Sequence, residues 1–245
     1  MISDLRVKTV AVSDVLLWCS DVMFAGYPAA RHDGTALSWS LRYLGEGLVM
    51  KILEQSFLCD TERCCADLYL PAGISRPPVL VMAHGFAGER TFRLPAFAEA
   101  FCRQGMAVFL FDYRSFGDSD GWPRQQVNPN RQLADWRAAI AHVRALPLLH
   151  GSRLALWGTS FSGGHVVSIA AEDDSIDAIV AQVPFVSGWN LVKGQSLRNL
   201  VQLTGAAIVD GIAAVSGLKP LHYPVVARPG NRAIMNTAES YDGYL

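Results

Sequence analysis

The stretch LALWGTSFSGGHVV, residues 154–167, places Ser160 among small residues between two apolar runs. A serine hydroxyl becomes an effective nucleophile when its oxygen is exposed, its proton is removed and the charge that forms on the substrate is stabilised. A tight turn from a strand into a helix meets the first need, provided that the residues two before and two after the serine are small. Gly158 and Ser162 occupy those positions. The spacing therefore predicts Ser160 as a catalytic nucleophile.

Two backbone N–H groups are expected to stabilise the charge that forms on the substrate. The first is the amide of Phe161, because the start of a helix presents its N–H groups to an anion. The second is the amide of Phe86, in the motif HGFAG that ends an apolar run at residues 79–83. Taken alone, a turn rich in glycine and serine could instead bind a phosphate or serve only close packing. The upstream HGFAG motif favours an oxyanion hole.

The elements that must position these residues alternate regularly from about residue 50. Short apolar runs indicate buried parallel strands, and amphipathic segments between them indicate helices. Asn128 is expected to cap a helix that has Pro129 at its first position and ends before Pro147. The pattern predicts an α/β fold with a doubly wound, mostly parallel sheet. The predicted strands are 51–60, 63–71, 77–85, 106–114, 152–158 and 177–185, and the predicted helices are 94–105, 129–146, 163–173, 191–203 and 206–217.

The motifs HGFAG, FDYRSFGDSDG and WGTSFSGGH, in this order, resemble the α/β-hydrolase superfamily. The resemblance is closest to the branch of dienelactone-hydrolase-like and polyketide-transferase-like esterases, and it covers about residues 50–245. It implies Ser160 as nucleophile, the amides of Phe86 and Phe161 as oxyanion hole, and an ester, thioester or lactone of a small acyl compound as substrate. It implies no metal and no organic cofactor. It also implies a hydrolase core at residues 50–188 and a helical, lid-like segment at 189–245, while residues 1–49 form an extension of unclear role.

The acid and the histidine of a serine triad are not identifiable in the sequence. In the family that the motifs resemble, both follow the nucleophile. After Ser160 the histidines are His165, expected to lie on the helix and pack against a neighbour, and His222, in a tail preceded by no strand. The chain is therefore expected to lack the last two strands of the fold and to expose the strand at 177–185 as an apolar edge, which would allow self-association.

Two hypotheses follow from the unidentified acid and histidine. The first is a serine hydrolase or acyltransferase that forms an acyl-enzyme at Ser160, with feeble activity in a chain without the base, because removing the histidine of such a triad costs about 10⁶ in kcat. The second is a truncated or degenerate protein of the same fold that has no catalytic activity.

The other polar residues receive structural interpretations. His84 is expected to hold the loop that follows its strand, and His142 is expected to face solvent on the flank of a helix. The carboxylates of Asp112, Asp118 and Asp120 are expected to organise their own loop through turn hydrogen bonds. The cysteines, five in number, have no metal-binding spacing and are expected to be reduced.

Composition excludes several other classes of function. Hydrophobic residues make up 51% of the 245 residues and charged residues 18%, which is typical of a globular protein. A formal net charge of -1 gives no general attraction to nucleic acid or to an anionic membrane. The start of the chain has no signal-peptide pattern, so a cytoplasmic location is expected.

Overall fold

A sheet of seven strands forms the centre of the described chain. Its strands are Trp39–Leu44 (β1), Gly47–Cys59 (β2), Glu62–Pro71 (β3), Val79–Ala83 (β4), Ala107–Phe111 (β5), Leu154–Thr159 (β6) and Ala178–Gln182 (β7). They lie in the order β1-β2-β3-β5-β4-β6-β7. The computed structural model describes residues 39–44, 47–151, 153–188, 193, 196–219 and 221–244.

Among the described strands, three pairings are parallel and three are antiparallel. Strand β4 pairs in parallel with β5 and β6, and β6 pairs in parallel with β7. Strands β1, β2 and β3 add three antiparallel pairings beside β5. The predicted parallel arrangement therefore holds for β4 to β7. On the antiparallel side a short turn joins β2 to β3, and a tight turn reverses the direction of the chain.

Helices cover both faces of the sheet, as the doubly wound prediction requires. The helices of the described residues are Leu94–Arg103 (α1), Pro129–Ala145 (α2), Phe161–Glu172 (α3), Leu197–Val215 (α4) and Ala238–Tyr244 (α5). Side chains of α2 and α3 join one buried cluster, and side chains of α1 join a second cluster with alternate residues of the same strands. Helix α2 begins as predicted, since the Asn128 side chain accepts a hydrogen bond of 3.1 Å from the Arg131 amide and Pro129 is its first residue.

The predicted start of the regular fold at residue 50 is wrong. Residues 39–44 form β1, and residues 47–49 begin β2, so both belong to the sheet and not to an N-terminal extension. The error arises because a two-stranded edge needs no buried, wholly apolar run, and its sequence therefore lacks the signal that marks the central strands. The rest of the proposed extension, residues 1–38, lies outside the described residues.

The chain divides into two compact units, the first ending at Val186 and the second running from Ser187 to Leu245. In the second unit, α4 is one continuous helix where the sequence predicts two. Gly205 lies inside it, because a single glycine weakens a helix by only about 1 kcal/mol relative to alanine. The lid-like role of this segment stays a prediction. None of the helices in the described parts of either unit combines the length and hydrophobicity needed to cross a bilayer.

Candidate active site

Ser160 lies at the turn between β6 and α3, directly after Thr159 and before Phe161. Its backbone has φ 54° and ψ −114°, and its side chain is exposed. The backbone around it is fixed, because the Ser160 amide donates to the Gln182 carbonyl at 2.9 Å and the Phe185 amide donates to the Ser160 carbonyl at 2.8 Å. Positive φ is costly for a residue with a Cβ atom. The structure thus holds an exposed hydroxyl on a strained and well-anchored turn.

Small residues make this turn possible. A Cβ atom on Gly158 would lie 2.5 Å from the carbonyl carbon of Ser162 and 2.8 Å from its Oγ, closer than real Cβ atoms approach. A Cβ atom on Gly164 would overlap the Phe185 carbonyl oxygen, because α3 passes close to the segment after β7. These contacts give the physical reason for the glycines on both sides of Ser160.

The HGFAG loop lies directly against the turn. A Cβ atom on Gly85 would be 3.1 Å from the Thr159 carbonyl oxygen and 3.3 Å from the Ser160 Cβ. The rings of Phe86 and Phe161 also meet, with centroids 5.8 Å apart and planes nearly perpendicular. The structure therefore brings together the two segments that carry the predicted oxyanion-hole amides. The role of those amides stays a prediction.

A buried arginine ties the HGFAG loop to the sheet. Arg90 is only 6% exposed, and its Nε donates to Asp67 at 3.0 Å and its Nη2 to Asp118 at 2.8 Å. Its backbone amide and Nη1 both donate to Asp112, which is fully buried after β5. Burial alone would lower the pKa of Arg90, but Asp67 and Asp112 outweigh burial and raise it. The guanidinium is therefore a permanent positive charge in the interior.

The prediction that the carboxylates of the FDYRSFGDSDG segment hydrogen-bond within their own loop is wrong. Asp112 and Asp118 bind Arg90 from the neighbouring loop, and Asp120 pairs with Arg63 of β3 at 3.2 Å. Their contacts reach other segments because the order of the strands sets these loops beside each other.

Beneath the turn lies a chain of buried hydrogen bonds. The Trp136 Nε1 donates to the Tyr113 hydroxyl at 2.9 Å, and that hydroxyl donates to the Ser162 Oγ at 3.1 Å. All three side chains are at most 1% exposed. The sequence shows Ser162 only as a small residue, and no local pattern reveals its partner, which is 49 positions away.

His84 and His165 are buried close to the turn with their Nδ1 atoms engaged. The His84 Nδ1 lies 3.0 Å from the Gly85 carbonyl oxygen, and the His165 Nδ1 lies 2.8 Å from that of Phe161. Both Nε2 atoms are buried without a hydrogen-bond partner in the described part of the chain, so neither is bonded to Ser160. Burial lowers the pKa of both imidazoles. The expected structural roles of His84 and His165 fit these contacts.

The expectation for His142 is wrong. Its side chain is half-buried, and its ring centroid lies 5.6 Å from that of Phe109 and 5.9 Å from that of Phe57. Helix α2 therefore turns this residue toward the core. Among the described residues, His222 is exposed and belongs to the second unit. The acid and the base of a triad thus remain unassigned.

The cysteines of the described chain are free and buried. Burial raises the pKa of Cys59 and of Cys102 to about 12, so both thiols are protonated and unreactive at neutral pH. Cys19 lies outside the described residues. Within the described ranges, no group of three or more histidines, cysteines or carboxylates is arranged to hold a metal ion.

Comparisons with known proteins identify the family of the chain. The model of the X-Pro dipeptidyl-peptidase (S15) family matches residues 60–223. The quorum-quenching protein AidA of Acinetobacter baumannii is 42% identical over 193 residues, which cover 79% of this chain and 64% of AidA. The thiohydrolase aneE of Aspergillus aculeatus is 38% identical over 119 residues, which cover 49% of this chain and 37% of aneE.

A solved structure gives the same fold. The α/β hydrolase GrgF from Penicillium matches with a TM-score of 0.63 and 25% identity, over 80% of this chain and 68% of GrgF. The predicted α/β-hydrolase fold is thereby confirmed. The chain spans well under the full length of the curated relatives above.

Proposed function

Because the chain belongs to the X-Pro dipeptidyl-peptidase (S15) family and has the α/β-hydrolase fold, we propose that it is a serine hydrolase or acyltransferase that acts through Ser160. The observation that carries the proposal is the exposed Ser160 hydroxyl on a strained turn, with the HGFAG loop packed against it. A positive-φ serine between a strand and a helix is costly, and such strain is found where function requires it.

In the proposed reaction, the Ser160 Oγ attacks the carbonyl carbon of the substrate while its proton passes to a general base. The charged carbonyl oxygen accepts hydrogen bonds from the amides of Phe86 and Phe161, and losing one such donor costs about 10²–10³ in rate. The bond to the leaving group then breaks, and the leaving oxygen or sulfur takes the proton from the base. Water or an alcohol attacks the acyl-enzyme and gives its proton to the base. The bond to the Ser160 Oγ then breaks, that oxygen takes the proton from the base, and a free acid or a new ester leaves.

The proposed substrate is an ester, thioester or lactone of a small acyl compound. The similarity to the thiohydrolase aneE supports a thioester within this class, and an exposed nucleophile suits a substrate that enters from solvent. The general base and its acid are proposed to lie outside the residues that the structure describes, because His84 and His165 have buried Nε2 atoms that do not bond Ser160.

The same histidine geometry supports a second candidate function, a binding protein of the same fold without catalysis. In that case Ser160 would have no base and would react no faster than an ordinary exposed serine. The two candidates therefore differ in a single measurable property, the reactivity of the Ser160 hydroxyl.

A fluorophosphonate probe measures that reactivity. We expect the probe to label the wild-type protein, with the adduct mapped to Ser160 by mass spectrometry, and to leave Ser160→Ala unlabelled. Ser168→Ala is the matched control, because Ser168 is also exposed and lies on the same helix α3. It should be labelled as fast as the wild type.

Absence of labelling in the wild type would refute the hydrolase proposal and favour the binding protein. Equal labelling of the wild type and Ser160→Ala would show that another residue reacts. A labelled wild type would then be offered matched thioester and oxygen-ester substrates, and faster release of thiol than of alcohol is the expected result.

A further inference from the structure

The hydrogen-bond chain beneath the turn joins three separate elements. Trp136 lies in α2, Tyr113 follows β5, and Ser162 lies in the first turn of α3. The indole donates to the phenol at 2.9 Å, and the phenol donates to the serine at 3.1 Å. These bonds connect the start of α3 to two parts of the core that are distant in sequence.

The Tyr113 ring is held in one orientation. Its centroid lies 4.7 Å from that of His84 and 5.3 Å from that of Phe111, with both neighbours close to perpendicular. Burial raises the pKa of Tyr113 although its hydrogen bonds with Ser162 and Trp136 lower it, so the phenol stays protonated. A fixed, protonated phenol is a donor aimed at one acceptor.

That acceptor lies against the turn. Ser162 packs so closely on Gly158 that a Cβ atom there would lie 2.8 Å from the Ser162 Oγ. Ser162 is also the next residue after Phe161, whose amide is a proposed oxyanion donor. A shift of Ser162 would therefore move the backbone on both sides of Ser160.

We propose that Tyr113 is a positioning residue, whose hydroxyl holds Ser162 and through it sets the Ser160 hydroxyl and the Phe161 amide. The inference rests on the proposed function of Ser160. It also explains the residue at position 162, where a glycine would be small enough but would leave the buried Tyr113 hydroxyl without an acceptor.

The test compares the rates at which a fluorophosphonate labels Ser160 in Tyr113→Phe, in Ser162→Ala and in the double variant. We expect each single variant to lower the maximal labelling rate about tenfold, with little change in the probe concentration that gives half of that rate, because one hydrogen bond to the turn is lost. The double variant should lose no more than Tyr113→Phe alone, because both changes remove the hydrogen bond from Tyr113 to Ser162.

Tyr69→Phe is the matched control. Tyr69 is another buried tyrosine, and its side chain joins the cluster on the other face of the sheet. It should label at the wild-type rate at a temperature where circular dichroism shows that every variant is folded. Ser162→Gly adds a further comparison, since glycine is even smaller than serine at the position two residues after Ser160, and the variant should nevertheless label slowly.

Labelling of Tyr113→Phe or Ser162→Gly at the wild-type rate would overturn the inference while leaving the hydrolase proposal intact. If the wild type itself is not labelled, the proposed function fails. The rate of hydrogen exchange in the peptide 158–167 then tests, independently of labelling, whether Tyr113 holds the turn. Faster exchange in Tyr113→Phe than in Tyr69→Phe would then support Tyr113 as the residue that holds the turn. Equal exchange would overturn it.

Discussion

Replacing Ser160 by glycine should make the protein more stable. Ser160 has φ 54° and ψ −114°, a conformation that glycine adopts without steric cost and that serine does not. The side chain is exposed, so its removal uncovers no core and breaks no packing. The change in stability therefore reports the backbone strain at the turn.

The expected size follows from two opposing effects. A residue with a Cβ atom in such a conformation costs about 1–3 kcal/mol. The greater conformational entropy of glycine in the unfolded chain reduces this gain in stability by about 0.5–1 kcal/mol. The net gain is about 1 kcal/mol, which corresponds to about 2–4 °C in Tm for a domain of this size.

Thermal unfolding followed by circular dichroism is the assay, with two reference variants. Ser160→Ala removes the hydroxyl but keeps the strain, so Ser160→Gly should melt above it. Ser168→Gly makes the same chemical change in the interior of α3, where the lower helix propensity of glycine should destabilise by about 0.5 kcal/mol relative to serine. A Tm for Ser160→Gly at or below that of Ser160→Ala would refute the strain and remove the physical basis for a functional turn.

Other predictions concern the surroundings of the turn and the edge of the sheet. Gly158→Ala should lower the free energy of unfolding by about 1–3 kcal/mol or more, the cost typical of overpacking, because its Cβ would lie 2.5 Å from the Ser162 carbonyl carbon. An unchanged urea midpoint would contradict this prediction. Arg90→Met should lower the free energy of unfolding in urea by about 3–5 kcal/mol, because it leaves the fully buried Asp112 without the Arg90 cation; a loss below about 1 kcal/mol would contradict a stabilising role for this ion pair. Burial lowers the pKa of His165 from 6.5, so the unfolded chain binds the proton more readily and stability falls as the pH drops below about 6.5; His165→Gln should show a shallower fall, and an identical pH profile would rule this out. Sedimentation velocity should show self-association at high concentration through the β7 edge, and a monomer at every concentration would refute it.

Local sterics made the turn at Ser160 predictable. The conformation needs small residues at fixed offsets, and a Cβ atom on Gly158 would overlap Ser162, which is only four positions away. The central strands were equally predictable from the sequence, because β4 and β5 are buried along their whole length and must be apolar throughout. In both cases the sequence carries the signal within a few residues of the feature.

Pairs that depend on strand order were not predictable in the same way. Arg90 and Asp112 are 22 positions apart, and Tyr113 and Ser162 are 49 positions apart. Each partner has a plausible local role, such as a solvated charge or a turn hydrogen bond, and only the folded sheet decides between that role and a buried contact. The half-buried position of His142 was missed for the same reason, because its aromatic neighbours come from two different strands.

The order of the central strands explains why these contacts converge on one place. Strand β4 lies between β5 and β6, and all three are parallel, so the loops at their carboxyl ends emerge side by side. The loop after β4 therefore meets Asp112 on one side, through Arg90, and the turn at Ser160 on the other, through Gly85. The residue that follows Asp112 is Tyr113, whose hydroxyl donates to Ser162 at the start of α3. One short segment after β5 thus contacts both the HGFAG loop and the turn at Ser160, through an ion pair for the first and a hydrogen bond for the second. A change in either contact should alter the geometry at Ser160 without touching the serine itself.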